Sequence, residues 1–146
     1  MFLLLCKGVQ KLHSYGYFHS FISIKNIVLN PKNEPILLGL TNCQKISQPN
    51  YELIYETTNK AIWPPEFLKG EINEKFDIWC LGILLHQLLA NLSFPFELAD
   101  DPKKLHSILR KGLREKTIAQ SIVKISPSVG STGDQIHLII TSKYFF

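Results

Sequence analysis

The chain has 146 residues, of which 45% are hydrophobic and 19% charged, and its formal net charge is +4. This is the size of one globular domain, and the composition excludes a disordered chain. The positive charge is spread thinly along the sequence, so we expect neither a nucleic-acid nor a membrane partner. Cys6, Cys43 and Cys80 form no C-x-x-C pair or Cys/His cluster. This spacing predicts no metal site, and free thiols fit a cytoplasmic protein.

The first predicted element is a helix over residues 2–15, in which apolar side chains recur at helical spacing. An ordered loop over residues 17–26 follows. Two short strands, Ile27–Leu29 and Ile36–Leu38, then flank the turn-forming residues 30–33 and predict a β-hairpin.

A long apolar helix is predicted further along the chain, after the polar and mixed stretch 39–63 and a short helix that begins at two prolines. This helix covers residues 75–91. Its apolar run is too short to cross a bilayer, which takes about 20 residues. We therefore expect a buried helix with Trp79, Leu84 and Leu88 in the core.

The C-terminal part begins with a predicted loop over residues 91–101 and an amphipathic helix over residues 102–116. The polar face of that helix is basic and includes Lys103, Lys104, Arg110 and Lys111. It is either a solvated surface or a docking face for a protein partner. Residues 126–133 predict a flexible loop. The pattern of residues 134–146 fits either a helix or a strand and does not decide between them.

Two stretches of the chain resemble motifs of the protein kinase family. Residues 12–29 follow the catalytic-loop pattern L-H-x-x-G-x-x-H-R-D-L-K-P-x-N-I-L-L, with matches at Leu12, His13, Gly16, His19, Asn26, Ile27 and Leu29. Residues 63–89 follow the pattern A-P-E, then D-x-W-x-x-G, with matches at Pro65, Glu66, Asp77, Trp79 and Gly82. The order and separation of the two stretches are also those of the family.

The resemblance implies an α+β fold, mainly α, in the form of a protein kinase-like C-terminal lobe with one small β-hairpin. It covers residues 2–118 well and residues 119–146 poorly. The sequence has no Gly-rich loop G-x-G-x-x-G and no V-A-I-K strand. We therefore expect residues 1–146 to form a partial kinase-like domain, either the C-terminal lobe alone or a truncated product.

The residues that carry kinase chemistry are missing from the matched positions. Ser20 stands in place of the Arg and Phe21 in place of the catalytic Asp, while Ser23 replaces the catalytic-loop Lys. Gly39 replaces the metal-binding Asp of the D-F-G motif. The first aspartate of the chain is Asp77, so no shifted alignment supplies either carboxylate. Phosphoryl transfer in this family needs both.

Several retained residues allow two interpretations. Asn26 matches a Mg²⁺ ligand of active kinases, or it is a loop asparagine that bonds its own backbone. Val28 matches a position beneath the nucleotide base, or it is a buried strand residue. His19 and Leu40 resemble members of the hydrophobic stack that couples the two kinase lobes. Asp77 resembles the helix-start residue that bonds the catalytic-loop backbone, and a carboxylate there is also stabilised by the helix dipole.

Glu66 pairs with a buried arginine in kinases, and no segment resembling that arginine site follows it here. An unpaired buried carboxylate is costly. Either Glu66 is solvated in this chain, or the lobe is incomplete at its C-terminus.

The function we expect is that of a pseudokinase-type interaction or scaffold module in signalling, with no cofactor and no phosphotransfer. The alternative is a divergent protein serine/threonine kinase whose N-lobe is missing from this chain and which uses Mg-ATP. The helix over residues 102–116 is the candidate docking site for a protein partner.

Overall fold

The computed structural model describes residues 1–89, 91, 92, 94, 98, 101, 103–105, 107 and 108. The chain divides into two compact units, Met1–Leu84 and Leu85–Phe146. In the second unit, residues 103–105 and 107–108 are helical, as predicted for that stretch. The remainder of the predicted 102–116 helix, including Arg110 and Lys111, and the predictions for residues 119–146 lie outside the described residues.

The first unit is α+β. Its elements in chain order are helix α1 (Phe2–Ser14), strands β1 (Tyr17–Phe18), β2 (Ile27–Leu29), β3 (Pro35–Leu37) and β4 (Gln44–Lys45), helix α2 (Tyr51–Thr57) and the start of helix α3 (Lys75–Leu89). Short 3-10 turns connect several of them. The predicted first helix, the hairpin and the long apolar helix are therefore all present.

The hairpin pairs β2 with β3 antiparallel, with Val28 opposite Ile36. Its turn is closed by the Asn30 side chain, whose Oδ1 accepts hydrogen bonds from the backbone nitrogens of Lys32 and Glu34, both at 2.9 Å. A short asparagine side chain that bonds the backbone in this way favours a turn over a continued strand.

A second two-stranded sheet differs from the prediction of a single hairpin. Strand β1 pairs antiparallel with β4, with Tyr17 opposite Lys45 and Phe18 opposite Gln44. This pairing joins segments that are far apart in the sequence, and each strand has only two residues. Local periodicity therefore gives no sign of it.

The core contains Trp63, Phe18 and Phe67, each 0% exposed. The Trp63 indole donates a hydrogen bond from Nε1 to the Thr58 hydroxyl at 2.7 Å, and its ring lies 4.9 Å from that of Phe67. A large aromatic ring whose polar atom has a partner suits the centre of a core.

The prediction for the long apolar helix needs correction at two of three positions. Leu84 is buried as expected, but Trp79 is only partly buried and Leu88 is 39% exposed. A helix that is apolar on every side gives no amphipathic stripe, so the sequence does not indicate which side chains lie innermost. Within the described part of the chain, no helix is long and apolar enough to cross a membrane.

Candidate functional site

The loop over residues 19–26 is held in place by the carboxylate of Asp77. Asp77 lies in the first turn of α3 and is 0% exposed. Its Oδ2 accepts a hydrogen bond from the backbone nitrogen of His19 at 2.7 Å, and its Oδ1 accepts one from that of Ser20 at 2.8 Å. These are the contacts that the resemblance implied for this aspartate.

A third group binds the same carboxylate from helix α1. The Nε2 atom of His13 lies 2.8 Å from Asp77 Oδ2, a contact that is an ion pair when the His13 ring is protonated. The contact ties together α1, the loop and α3. The sequence placed His13 in the kinase pattern but gave it no partner, because 64 positions separate it from Asp77.

His19 is buried and uses both ring nitrogens. Its Nε2 lies 3.1 Å from the Leu38 carbonyl oxygen, which can only accept, so Nε2 carries the proton. Its Nδ1 accepts a hydrogen bond from the backbone nitrogen of Phe21 at 3.2 Å. The ring is therefore neutral. Burial lowers the pKa of His19, against the opposing effects of the Asp77 charge and the Leu38 carbonyl.

Ser20, at the position of the kinase arginine, connects the loop by a hydrogen bond to the segment around Asn42. Its backbone is left-handed, with φ of 60°, a conformation that is uncommon for a residue other than glycine. Its hydroxyl donates a hydrogen bond to the Asn42 carbonyl at 2.9 Å. This bond and the one to Asp77 hold Ser20 in that conformation.

The two positions that need carboxylates lie beside the retained asparagine. Asn26 donates a hydrogen bond from Nδ2 to the Phe21 carbonyl at 2.9 Å. A Cβ atom added to Gly39 would lie 3.7 Å from Asn26 Nδ2 and 3.7 Å from His19 Cε1. The structure thus brings Phe21, Asn26 and Gly39 together around His19. Asn26 makes the backbone contact expected of a loop asparagine, which is the second of its two interpretations, and the site presents a phenyl ring and a glycine.

Neither Glu34 nor Asp77 can take over the missing roles. Glu34 is exposed in the hairpin turn, where it accepts a hydrogen bond from Asn30 Nδ2 at 2.8 Å. The three residues of β2 place this turn about 10 Å from the loop. Asp77 already receives donors at both oxygens. In the described ranges, no group of three His, Cys, Asp or Glu residues could hold a metal ion.

Two apolar positions next to the loop are exposed. Val28 is 42% exposed, so it is not a buried strand residue, and Leu40, which resembles a member of the stack between two kinase lobes, is 63% exposed. A two-stranded sheet cannot cover both of its own faces, which accounts for Val28. Leu40 lies in a 3-10 turn directly after Gly39.

The remaining predicted residues differ in burial. Pro65 is buried, whereas Glu66 is exposed, so the solvated alternative holds for this carboxylate. Ser23 precedes a 3-10 turn and Gly82 lies within α3, both partly buried. Lys103 and Lys104 are exposed.

Comparisons with known proteins match this chain to protein kinases. No family model matches the chain. It is 27% identical over 115 residues to a dual serine/threonine and tyrosine protein kinase of Tetraodon nigroviridis, covering 77% of this chain and 12% of that protein. It is 30% identical over 129 residues to the serine/threonine-protein kinase SAPK9 of Oryza sativa subsp. japonica, covering 84% of this chain and 35% of that protein.

A solved structure shares the fold. The kinase PK-1 of the Cydia pomonella granulovirus matches with a TM-score of 0.64 and 18% sequence identity, over 73% of this chain and 40% of that one. The chain thus spans well under half the length of these proteins.

Proposed function

We propose that this chain, which contains a protein kinase-like region, corresponds to a kinase C-terminal lobe and acts as a pseudokinase-type interaction module without phosphotransfer. The observation that supports this most strongly is the absence of a usable carboxylate at the loop. Phe21 cannot accept a proton, and Gly39 cannot bind a metal ion. Asp77 is 0% exposed and already accepts from His19, Ser20 and His13.

The magnitudes favour an inactive site. A missing general base typically lowers a rate by about 10²–10⁴. A missing metal ligand removes charge stabilisation of several kcal/mol from the transferring phosphoryl group. These losses act on the same step, so we expect no measurable transfer, and neither ATP nor Mg²⁺ is a cofactor in this proposal.

The intact geometry of the loop supports an interaction role. A loop that had lost its function and its constraints would have no need for a buried aspartate, two histidines and a strained serine in one bonded set. We propose that the fold is retained as a rigid surface for a protein partner. The exposed Lys103 and Lys104, on the predicted basic face of residues 102–116, are one candidate contact with an acidic partner.

The cell compartment that we propose is the cytoplasm. All three cysteines of the chain, Cys6, Cys43 and Cys80, are free thiols. A reducing compartment keeps such thiols unpaired.

The alternative is a divergent serine/threonine kinase that uses Mg-ATP. It is favoured by the names of the relatives and by Asn26, which lies beside Gly39 at the position of a Mg²⁺ ligand. Calorimetric titration of Mg-ATP into the full chain tests the pseudokinase proposal against this alternative. We expect no saturable heat. A micromolar affinity that requires Mg²⁺ and is lost in Asn26→Ala would overturn the pseudokinase proposal in favour of the kinase.

A further inference from the structure

Helix α2 carries an exposed aromatic surface in an acidic part of a basic chain. Residues 51–74 contain five glutamates and two lysines, a net charge of −3, whereas the whole chain has a net charge of +4. Tyr51 and Tyr55 lie four positions apart and are 36% and 46% exposed. Side chains at this spacing share one face of a helix.

The two tyrosine rings rest on the aromatic core. The Tyr51 ring stacks on that of Phe67 with centroids 4.5 Å apart, and the Tyr55 ring lies 4.9 Å from that of Trp63. Phe67 and Trp63 are fully buried. Each tyrosine therefore has one side against the core while part of its surface faces solvent.

Ring stacking also brings two acidic segments together. Tyr51 precedes Glu52 in α2, and Phe67 follows Glu66, so the stacked rings join two segments that each carry an exposed glutamate. Exposed glutamates of the same stretch are Glu52, Glu56, Glu66 and Glu71. None of them forms an ion pair with a residue that the structure describes.

Helix α2 is fixed at both ends, so this surface is preformed. The Asn50 side chain caps the start by accepting a hydrogen bond from the Leu53 nitrogen at 3.1 Å. At the other end, the Thr58 hydroxyl donates to the Ile54 carbonyl at 2.6 Å and accepts from Trp63. A rigid surface loses little conformational entropy on binding.

We propose that this face of α2, defined by Tyr51, Tyr55, Glu52, Glu56 and Glu66, is a docking surface for a lysine- and arginine-rich peptide segment of a protein partner. The occupant follows from charge complementarity. Unpaired carboxylates attract cationic side chains, and the exposed rings bind ammonium and guanidinium groups through their π faces. This proposal deepens the interaction role proposed above and gives it a second contact besides the basic residues 102–116.

The test is fluorescence anisotropy with the full chain and a labelled Lys/Arg-rich peptide. A labelled Gly/Ser/Gln peptide of equal length is the control probe. We expect saturable binding of the basic peptide alone, weakened by salt because the contacts are exposed charges. The variant Glu52→Gln/Glu56→Gln/Glu66→Gln removes charge at nearly constant shape. It should weaken binding about tenfold, since each exposed ion pair contributes a modest increment.

The aromatic part is tested by Tyr55→Leu, which keeps an apolar cover over Trp63 and removes the π face. We expect about two- to fivefold weaker binding. Glu34→Gln and Tyr15→Leu are matched controls, because both residues are exposed and lie outside this surface. Neither should change the affinity.

Three results would overturn the proposal: no binding of the basic peptide, equal binding by the triple glutamine variant, or equal weakening by the control variants. Self-association of the chain that is abolished by the triple variant, without peptide binding, would also overturn it by identifying a second copy as the occupant. Phosphotransfer by the chain would contradict the proposed function. It would not contradict the docking surface, which is tested by the peptide measurement alone.

Discussion

Within the kinase pattern, the residues that anchor the loop over residues 19–26 are present, whereas the residues that would carry its chemistry are replaced. On the anchor side, Asp77 is fully buried and receives hydrogen bonds from His19 and Ser20 together with the His13 contact. On the site side, Phe21 and Gly39 stand where two carboxylates are needed. The geometry of the loop and its chemistry therefore depend on different residues, and one set can be lost while the other stays.

Removing the anchor should have the largest effect. In Asp77→Ala the backbone nitrogens of His19 and Ser20 lose their acceptor inside the protein. We expect the free energy of unfolding to fall by about 3–5 kcal/mol, the usual cost of removing one partner from a buried charged set. Urea denaturation followed by tryptophan fluorescence measures this. Glu71→Ala, at an exposed glutamate, is the control and should change stability by less than about 0.5 kcal/mol.

An Asp77→Ala variant as stable as Glu71→Ala would contradict the claim that Asp77 anchors the loop. It would mean that the loop holds its shape without the carboxylate, so that Asp77 is no more an anchor than any surface acid.

The two tryptophans of the chain compare a fully buried position with a partly buried one. Trp63→Ala should cost about 3–5 kcal/mol, the range for truncating a buried large aromatic residue. Trp79→Ala should cost less, because Trp79 is only partly buried. Thermal or urea unfolding of the two variants gives the order. The reverse order would place Trp79 at the centre of the core, contrary to the structure.

Acid should weaken the anchor through His19. Burial lowers the pKa of His19 below its ordinary value of 6.5 in the folded chain. Below about pH 6.5 the unfolded chain therefore binds more protons than the folded one, and stability falls as the pH is lowered. Above that pH the ring is neutral in both states and makes no difference. Protonation of Nδ1 would also remove the acceptor for the Phe21 nitrogen.

A second buried histidine has to be separated from this effect. Burial also lowers the pKa of His86, and its Nδ1 has no hydrogen-bond partner among the described residues. Urea unfolding at several pH values in His86→Leu isolates the contribution of the other histidines. We expect a smaller but remaining loss of stability in acid, and NMR titration of the His19 ring should give a pKa below 6.5. A flat profile in His86→Leu would assign the whole effect to His86.

The sequence predicted those parts of the fold that rest on local patterns or on the kinase motifs. Helix α1 follows from apolar periodicity, the β2–β3 hairpin from its turn residues and α3 from its long apolar run. The Asp77 contact follows from the motif. Helix α2 was not predicted, because it lies in a polar and mixed stretch without clear periodicity. The hydrogen bonds at its two ends involve Asn50, Thr58 and Trp63. The β1–β4 pairing depends on residues far apart in the chain.

The sequence predicted which catalytic residues are replaced at the candidate site, but it did not predict most of the hydrogen bonds there. The substitutions at Phe21 and Gly39 can be seen in the sequence alone. The new hydrogen bond from Ser20 to Asn42 and the binding of His13 to Asp77 could not be seen, because a bond between distant residues leaves no pattern in either segment. Exposure of Val28 was likewise missed, since an apolar residue in a strand is ordinarily buried.

The most direct test of the central claim is a phosphotransfer assay on the purified full chain with Mg-ATP and a mixture of protein and peptide substrates. Phosphate incorporation is measured for the chain and for Asn26→Ala, with an active kinase as the positive control. Because no carboxylate stands at Phe21 or Gly39, incorporation by the chain should equal that of the buffer. Incorporation above the buffer that disappears in Asn26→Ala would contradict the account, since it would locate transfer in the loop that we describe as inactive.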